Sequence, residues 1–154
     1  MCSEPQRILN RTNMYEIDEK DQAVVLPDLP PPDQGDPLPV VLAKDGTVIL
    51  SYVAGRELTV IVTFPFCSAQ LFGGPNAKSL KKHPLAERGL TAHGAFEIRG
   101  SSWARALAGG GAAQKHFIFT FRDSVFECVA NDLGVELIRE DDDTVKLMAR
   151  RLYK

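Results

Sequence analysis

Hydrophobic and polar positions alternate most clearly over residues 116–131, where two extended runs flank a polar break. Phe117, Phe119 and Phe121 fall on one side of an extended chain, and His116, Ile118 and Thr120 on the other. Arg122, Asp123 and Ser124 supply turn chemistry. Beyond them Val125, Glu127 and Val129 alternate with Phe126, Cys128 and Ala130. The pattern predicts a hairpin fit for burial, with Glu127 and Cys128 pointing to opposite faces.

Similar patterning predicts further strands. Residues 39–43 and 47–53 flank Lys44-Asp45-Gly46, and Asp-Gly provides the positive φ that a tight hairpin turn needs. After a turn at 54–57, residues 58–64 are rich in β-branched side chains and suit a central strand. Pro65 interrupts that strand, and residues 67–72 are expected to continue it after a bend. Residues 23–26, 95–99 and 135–138 are candidates for shorter strands.

Helical spacing occurs twice. Trp103, Ala106 and Leu107 follow Ser101 or Ser102 as an N-cap, and Gly109–Gly111 ends the segment. Asp141–Asp143 start the second helix and Lys146, Arg150, Arg151 and Lys154 lie toward its end, as the helix dipole favours. Its apolar stripe is Val145, Met148, Ala149 and Leu152, which predicts packing on a sheet face. Residues 73–95 read as a long loop with a helical turn capped by Asn76. Residues 27–37 hold five prolines and cannot be regular structure. Together these elements predict a single α+β domain: a mainly antiparallel sheet of hairpins over residues 37–154 with two short helices, preceded by a loose, acidic, partly disordered arm over 1–36.

Composition narrows the function classes. The chain has 154 residues, enough to bury a core without disulfides or structural metal. A net charge of −2 gives no overall attraction to nucleic acid or anionic lipid, so neither is expected as a partner. Charge is uneven, however. The first forty residues are acidic, whereas residues 78–105 carry Lys78, Lys81, Lys82, Arg88, Arg99 and Arg105 against Glu87 and Glu97. That basic stretch suits a small anion or an acidic partner, or is a solvated face. Cys2, Cys67 and Cys128 are odd in number with no framework spacing, and the first residues have no apolar leader. Free thiols in a reducing cytoplasm are the expectation.

The chemistry-bearing residues give no decisive motif. Lys78-Ser79 could end a phosphate loop, but Ala77 and Phe72 stand where that loop needs glycine. His83, His93, His116, Cys67, Cys128 and Glu127 have no metal-ligand spacing, and no metal or other cofactor is expected. As a nucleophile Cys128 would need an electropositive, partly exposed setting, whereas its neighbours Phe126 and Ala130 predict an apolar one. Glu127 needs a partner if its face is covered, and Arg88 or Arg99 is the expected one; on an open face it is simply solvated. A cleft joining His83, Arg88, His116 and Glu127 would be the best acid–base constellation this chain can build. Ser101-Ser102-Trp103 reads as a cap with a buried aromatic, or as a helix N-terminus offered to an anion.

Residues 83–85 (His-Pro-Leu), 88–90 (Arg-Gly-Leu), 95–97 (Ala-Phe-Glu), 101–103 (Ser-Ser-Trp) and 121–128 together resemble a set of small bacterial single-domain proteins of unassigned function. The resemblance spans about residues 39–130 and implies a bacterial protein without implying an activity. Two functional expectations follow from the residues. The first is a binding or accessory protein that uses the basic loop 73–99, with Lys82, Arg88, Arg99, Ser101 and Trp103 as contacts for a small anionic ligand or protein partner. The second is a small cofactor-independent hydrolase or isomerase built on His83, His116 and Glu127, with Cys128 as a further candidate. A structural or oligomerising role through sheet edges and the Pro-rich arm is a third class, and the oligomeric state is left open.

Overall fold

The computed structural model describes residues 15–35, 38–55, 58–108, 113–139 and 143–153. Among these residues nine strands form two antiparallel sheets. In the first, β1 (Gln22–Val25), β6 (Gly94–Arg99), β7 (Lys115–Thr120), β8 (Val125–Ala130) and β5 (Ala69–Gly73) lie in that order. In the second the order is β2 (Val40–Lys44), β3 (Thr47–Val53), β4 (Leu58–Phe64) and β9 (Gly134–Arg139). The expected α+β class is therefore the observed one, with the strands divided between two packed layers.

The predicted alternation decides the packing. Phe117, Phe119, Phe121, Phe126, Cys128 and Ala130 meet Val48, Leu50, Tyr52, Val60, Val62 and Phe64 between the sheets. Phe64 contacts Phe117, Phe119 and Phe126 with ring centroids 5.6–5.9 Å apart, within the range of favourable aromatic pairs. The outer face of the second sheet is covered by α2 (Thr144–Leu152), where Met148 packs on Ile49 and Ile61. Asp143 caps this helix through the Lys146 amide. Leu147 and Leu152 flank Met148, while Val145 is half-exposed, so the buried stripe is turned from the expected one.

The outer face of the first sheet is covered differently. The 3₁₀ helix Ala77–Lys82, a second short one at Ala86–Arg88 and α1 (Ser102–Ala108) lie over it, with Leu80, Leu85, Leu90, Trp103 and Ala104 buried. Asn76 caps the first of these by accepting from the Ser79 amide, as expected. α1 buries Trp103 and Ala104 and leaves Leu107 at its surface. The predicted glycine stop at 109–111, the residues 141–142 and the arm before Tyr15 lie outside the described residues.

Two expectations give way to tertiary contacts. Residues 67–72 do not continue β4: Pro65 and Phe66 (φ 52°) turn the chain out of the second sheet, and β5 pairs with β8 in the first. The N-terminal region is also no loose arm from Tyr15 onward. β1 pairs with β6 from Gln22↔Arg99 to Val25↔Phe96, and Tyr15, Asp21, Ala23 and Leu29 are buried. The tight turn between β2 and β3 is as expected, with positive φ at Asp45 (50°) and Gly46 (83°).

Gly100 marks where the N-terminal segment presses on the rest. Its φ is +67°, and a Cβ there would lie 2.3 Å from the Lys20 carbonyl oxygen. Gly100→Ala is expected to destabilise by about 2 kcal/mol or more. Gly134→Ala, where a Cβ meets nothing within 4 Å, serves as the control. Chemical denaturation of the two variants checks this; equal midpoints would mean that the segment is not seated against Gly100.

Candidate functional site

On the outer face of the first sheet, strands β7 and β8 place His116 and Glu127 diagonally, because His116 pairs with Val129 and Ile118 with Glu127. The residue after the first 3₁₀ helix, His83, reaches the same carboxylate. His83 Nε2 lies 2.6 Å from Glu127 Oε2, and His116 Nε2 lies 2.9 Å from Oε1. The Tyr15 hydroxyl donates to Oε1 at 2.5 Å. Both imidazoles and the carboxylate have no solvent exposure at all.

Hydrogen bonds assign the protons. The Leu85 amide donates to His83 Nδ1 at 3.0 Å, so this ring is neutral and carries its proton on Nε2, toward Glu127. Ser101 Oγ accepts from the Ala104 amide and lies 2.8 Å from His116 Nδ1. His116 Nδ1 and Ser101 Oγ share a hydrogen bond, and His116 presents Nε2–H to the carboxylate. A continuous chain runs from the α1 backbone through Ser101 and His116 to Glu127.

Burial by itself would raise the Glu127 pKa, but hydrogen bonds from His116 and His83 outweigh it and hold the carboxyl well below its ordinary 4.5. Rings enclose the same cluster. Tyr15 stacks on Trp103 at 4.8 Å and 10°, and both meet His116 edge-on at 5.4 and 5.1 Å.

The covering segment is held by charge. Arg88 Nη1 donates to the Asp18 and Asp21 carbonyls at 2.6 and 3.3 Å, and Arg105 pairs with Asp18 at 3.0 Å. Asp21, fully buried, accepts from the Ser102 amide and hydroxyl at 2.9 and 2.6 Å and so caps α1 from a distant part of the chain.

His83, His116 and Glu127 are therefore brought together, but in an enclosed cluster without the cleft or the Arg88 that the acid–base expectation joined to them. Cys128 is not among them: it faces the core between the sheets, and burial pushes its thiol pKa up. The expected pairing of Glu127 with Arg88 or Arg99 does not occur, because His83 and His116 reach the carboxylate first. Arg88 is engaged by the N-terminal segment, and Arg99 lies exposed at the end of β6. Ser101 and Trp103 are spent on His116 and Tyr15, and Lys82 is exposed. Sequence reasoning missed Tyr15 and Asp21, which sit in an irregular acidic stretch with no periodicity to mark them.

Among the described residues no group of three or more His, Cys, Asp or Glu is arranged to hold a metal ion, and no helix is long and apolar enough to cross a membrane. Comparison of the chain with protein families, curated proteins and solved structures found no match.

Glu127→Gln places an amide N–H₂ or a weaker acceptor against ring donors, and should cost about 3 kcal/mol. A depressed folded pKa means that Glu127 contributes stability above its unfolded value near 4.5 and loses it as pH falls further. Wild-type stability should thus decline below pH 4.5 more steeply than that of Glu127→Gln. Urea titrations across pH 3–7 measure this, and parallel curves would refute the assignment of Glu127 as the buried anion.

Proposed function

We propose that the protein is a binding or accessory protein whose rigid 3₁₀ helix Ala77–Lys82 engages a small anionic ligand or an acidic protein partner. One observation carries this reading. Lys78, Lys81 and Lys82 are all exposed, and no ion pair among the described residues engages them. In contrast, Arg88 and Arg105 of the same basic stretch are already held by the N-terminal segment.

The buried cluster supports the reading by giving this helix a fixed base. Asn76 caps its start, and the Ala77 amide bonds to the Arg122 carbonyl at 2.8 Å. His83 ends it, with its ring locked on Glu127. A cationic turn held at both ends loses little conformational freedom on binding, which favours affinity. The free thiols and the resemblance over residues 39–130 agree with action in a bacterial cytoplasm, which forms part of the proposal.

Inorganic phosphate, citrate and polyglutamate are the probes. At least one should raise the melting temperature, and Lys78→Glu/Lys81→Glu/Lys82→Glu should weaken its binding by about tenfold or more. Absence of any shift, or an unchanged affinity in the triple variant, refutes the basic-helix site.

A second reading, a cofactor-independent hydrolase, is favoured by the convergence of His83, His116 and Glu127 under a segment held largely by side chains. Among the described residues Tyr15 covers the carboxylate through its hydroxyl, so its movement would open a way to the cluster. Tyr15→Ala should then accelerate hydrolysis of an activated ester such as p-nitrophenyl acetate. A rate no higher than wild type removes this reading.

A further inference from the structure

Strand β5 is an end of the first sheet: it pairs with β8 on one side, and among the described residues no strand pairs with it on the other. An unpaired edge offers a row of backbone N–H and C=O groups to another chain, and proteins commonly guard it with charge, proline or a bulge. Residues Ala69–Gly73 carry no charge and no proline. Register sets their faces. Gln70 pairs with Cys128 and Phe72 with Phe126, so both point to the side of the core between the sheets, yet Gln70 is exposed and Phe72 is 47 % exposed. Among the described residues the sandwich is thus open along this edge. At the start of the strand an open groove of about 300 Å³ lies between Ser68, Ala69 and Gln70 and the β2–β3 turn region Ala43–Val48.

The far end of the strand leads to positive charge. Gly73 pairs with Val125, and the Ala77 amide that opens the first 3₁₀ helix bonds to the Arg122 carbonyl in the turn before β8. The exposed Lys78, Lys81 and Lys82 therefore follow closely on the end of the edge. Strand β9, an end of the second sheet, runs instead into Glu140, Asp141, Asp142 and Asp143, a sequence that repels an acidic chain.

We infer, building on the reading of the lysine helix as a binding site, that its partner is an acidic, extended protein segment that joins the first sheet as a strand alongside β5. The added strand runs antiparallel to β5, as every pair in this sheet does. Antiparallel pairing brings the N-terminal end of the segment to the Gly73 end of β5, so the acidic residues precede the paired stretch and meet the lysines. Side chains of the segment opposite Gln70 and Phe72 turn toward the groove and the Phe72 ring, and apolar ones suit both. Main-chain hydrogen bonds along the edge supply affinity, while the alternate apolar positions and the acidic residues supply selectivity. A free carboxylate ligand would use the lysines alone.

The test uses the full chain and a fluorescein-labelled peptide of three glutamates, a glycine and then alternating threonine and valine, with labelled triglutamate as the charge-only control. Fluorescence anisotropy reads the affinities. The peptide should bind about tenfold or more tightly than triglutamate. Methylating one alternate set of its backbone nitrogens, those turned to β5, should weaken binding by about tenfold or more, whereas methylating the other set should change it by less than about twofold. Hydrogen exchange of the amides at 69–73 should slow when the peptide is bound. A peptide that binds no tighter than triglutamate, or that responds equally to both methylation patterns, overturns strand addition and leaves the lysine site standing. Failure of both peptides to bind, or a peptide affinity unchanged by Lys78→Glu/Lys81→Glu/Lys82→Glu, overturns the lysine site and strand addition with it.

Discussion

The Glu127 carboxylate must remain an anion inside an apolar core, and the outer layer of the first sheet is arranged around that constraint. A carboxylate removed from water is tolerable only with several strong donors. Three come from regions far apart in sequence: Tyr15, His83 and His116 lie 112, 44 and 11 positions away. Each donor brings its own segment. His83 fixes the end of a cationic 3₁₀ helix, His116 connects through Ser101 to α1, and Tyr15 fastens the N-terminal segment onto Trp103. Loss of the anion would loosen all three, which is a larger consequence than that of any single surface ion pair.

Electrostatics within the chain also reshapes its surface. The acidic N-terminal region and the basic stretch 78–105 are partly each other's partners, through Asp18 and Asp21 against Arg88, Arg105 and Ser102. Among the described residues of that stretch, the lysines of the first 3₁₀ helix and Arg99 stay outside these contacts, so the free basic surface is smaller than the composition implies. The strand β8 then separates two environments: a hydrogen-bonded carboxylate on its outer side and the buried Cys128 thiol on its inner side. Adjacent residues, Glu127 and Cys128, serve unrelated environments because side chains of a strand alternate.

Much of the fold could be read directly. Alternation at 116–131 assigned Phe117, Phe119, Phe121, Phe126 and Cys128 to one face, which is the buried core between the sheets. Asp45-Gly46, Asn76 and Asp143 carried their turn and caps in local chemistry. Reading failed where a residue's fate depended on what lay across space. Val145 suited a buried stripe as well as Leu147 does, and only the surface offered by β2 and β3 chose between them. β5 looked like an extension of β4 until β8 offered it an unpaired edge.

By itself, the sequence determined most of the strands, the faces of the 116–131 hairpin, the tight turn at Asp45-Gly46 and the class of the domain, because these depend on backbone periodicity and on residues a few positions apart. Only the tertiary structure decided that the Glu127 face is covered, and that two histidines and a tyrosine hold it rather than an arginine. Those outcomes turn on distances of about 3 Å between groups remote along the chain. No local pattern in residues 15–21 could show that Tyr15 would complete a site built around Glu127.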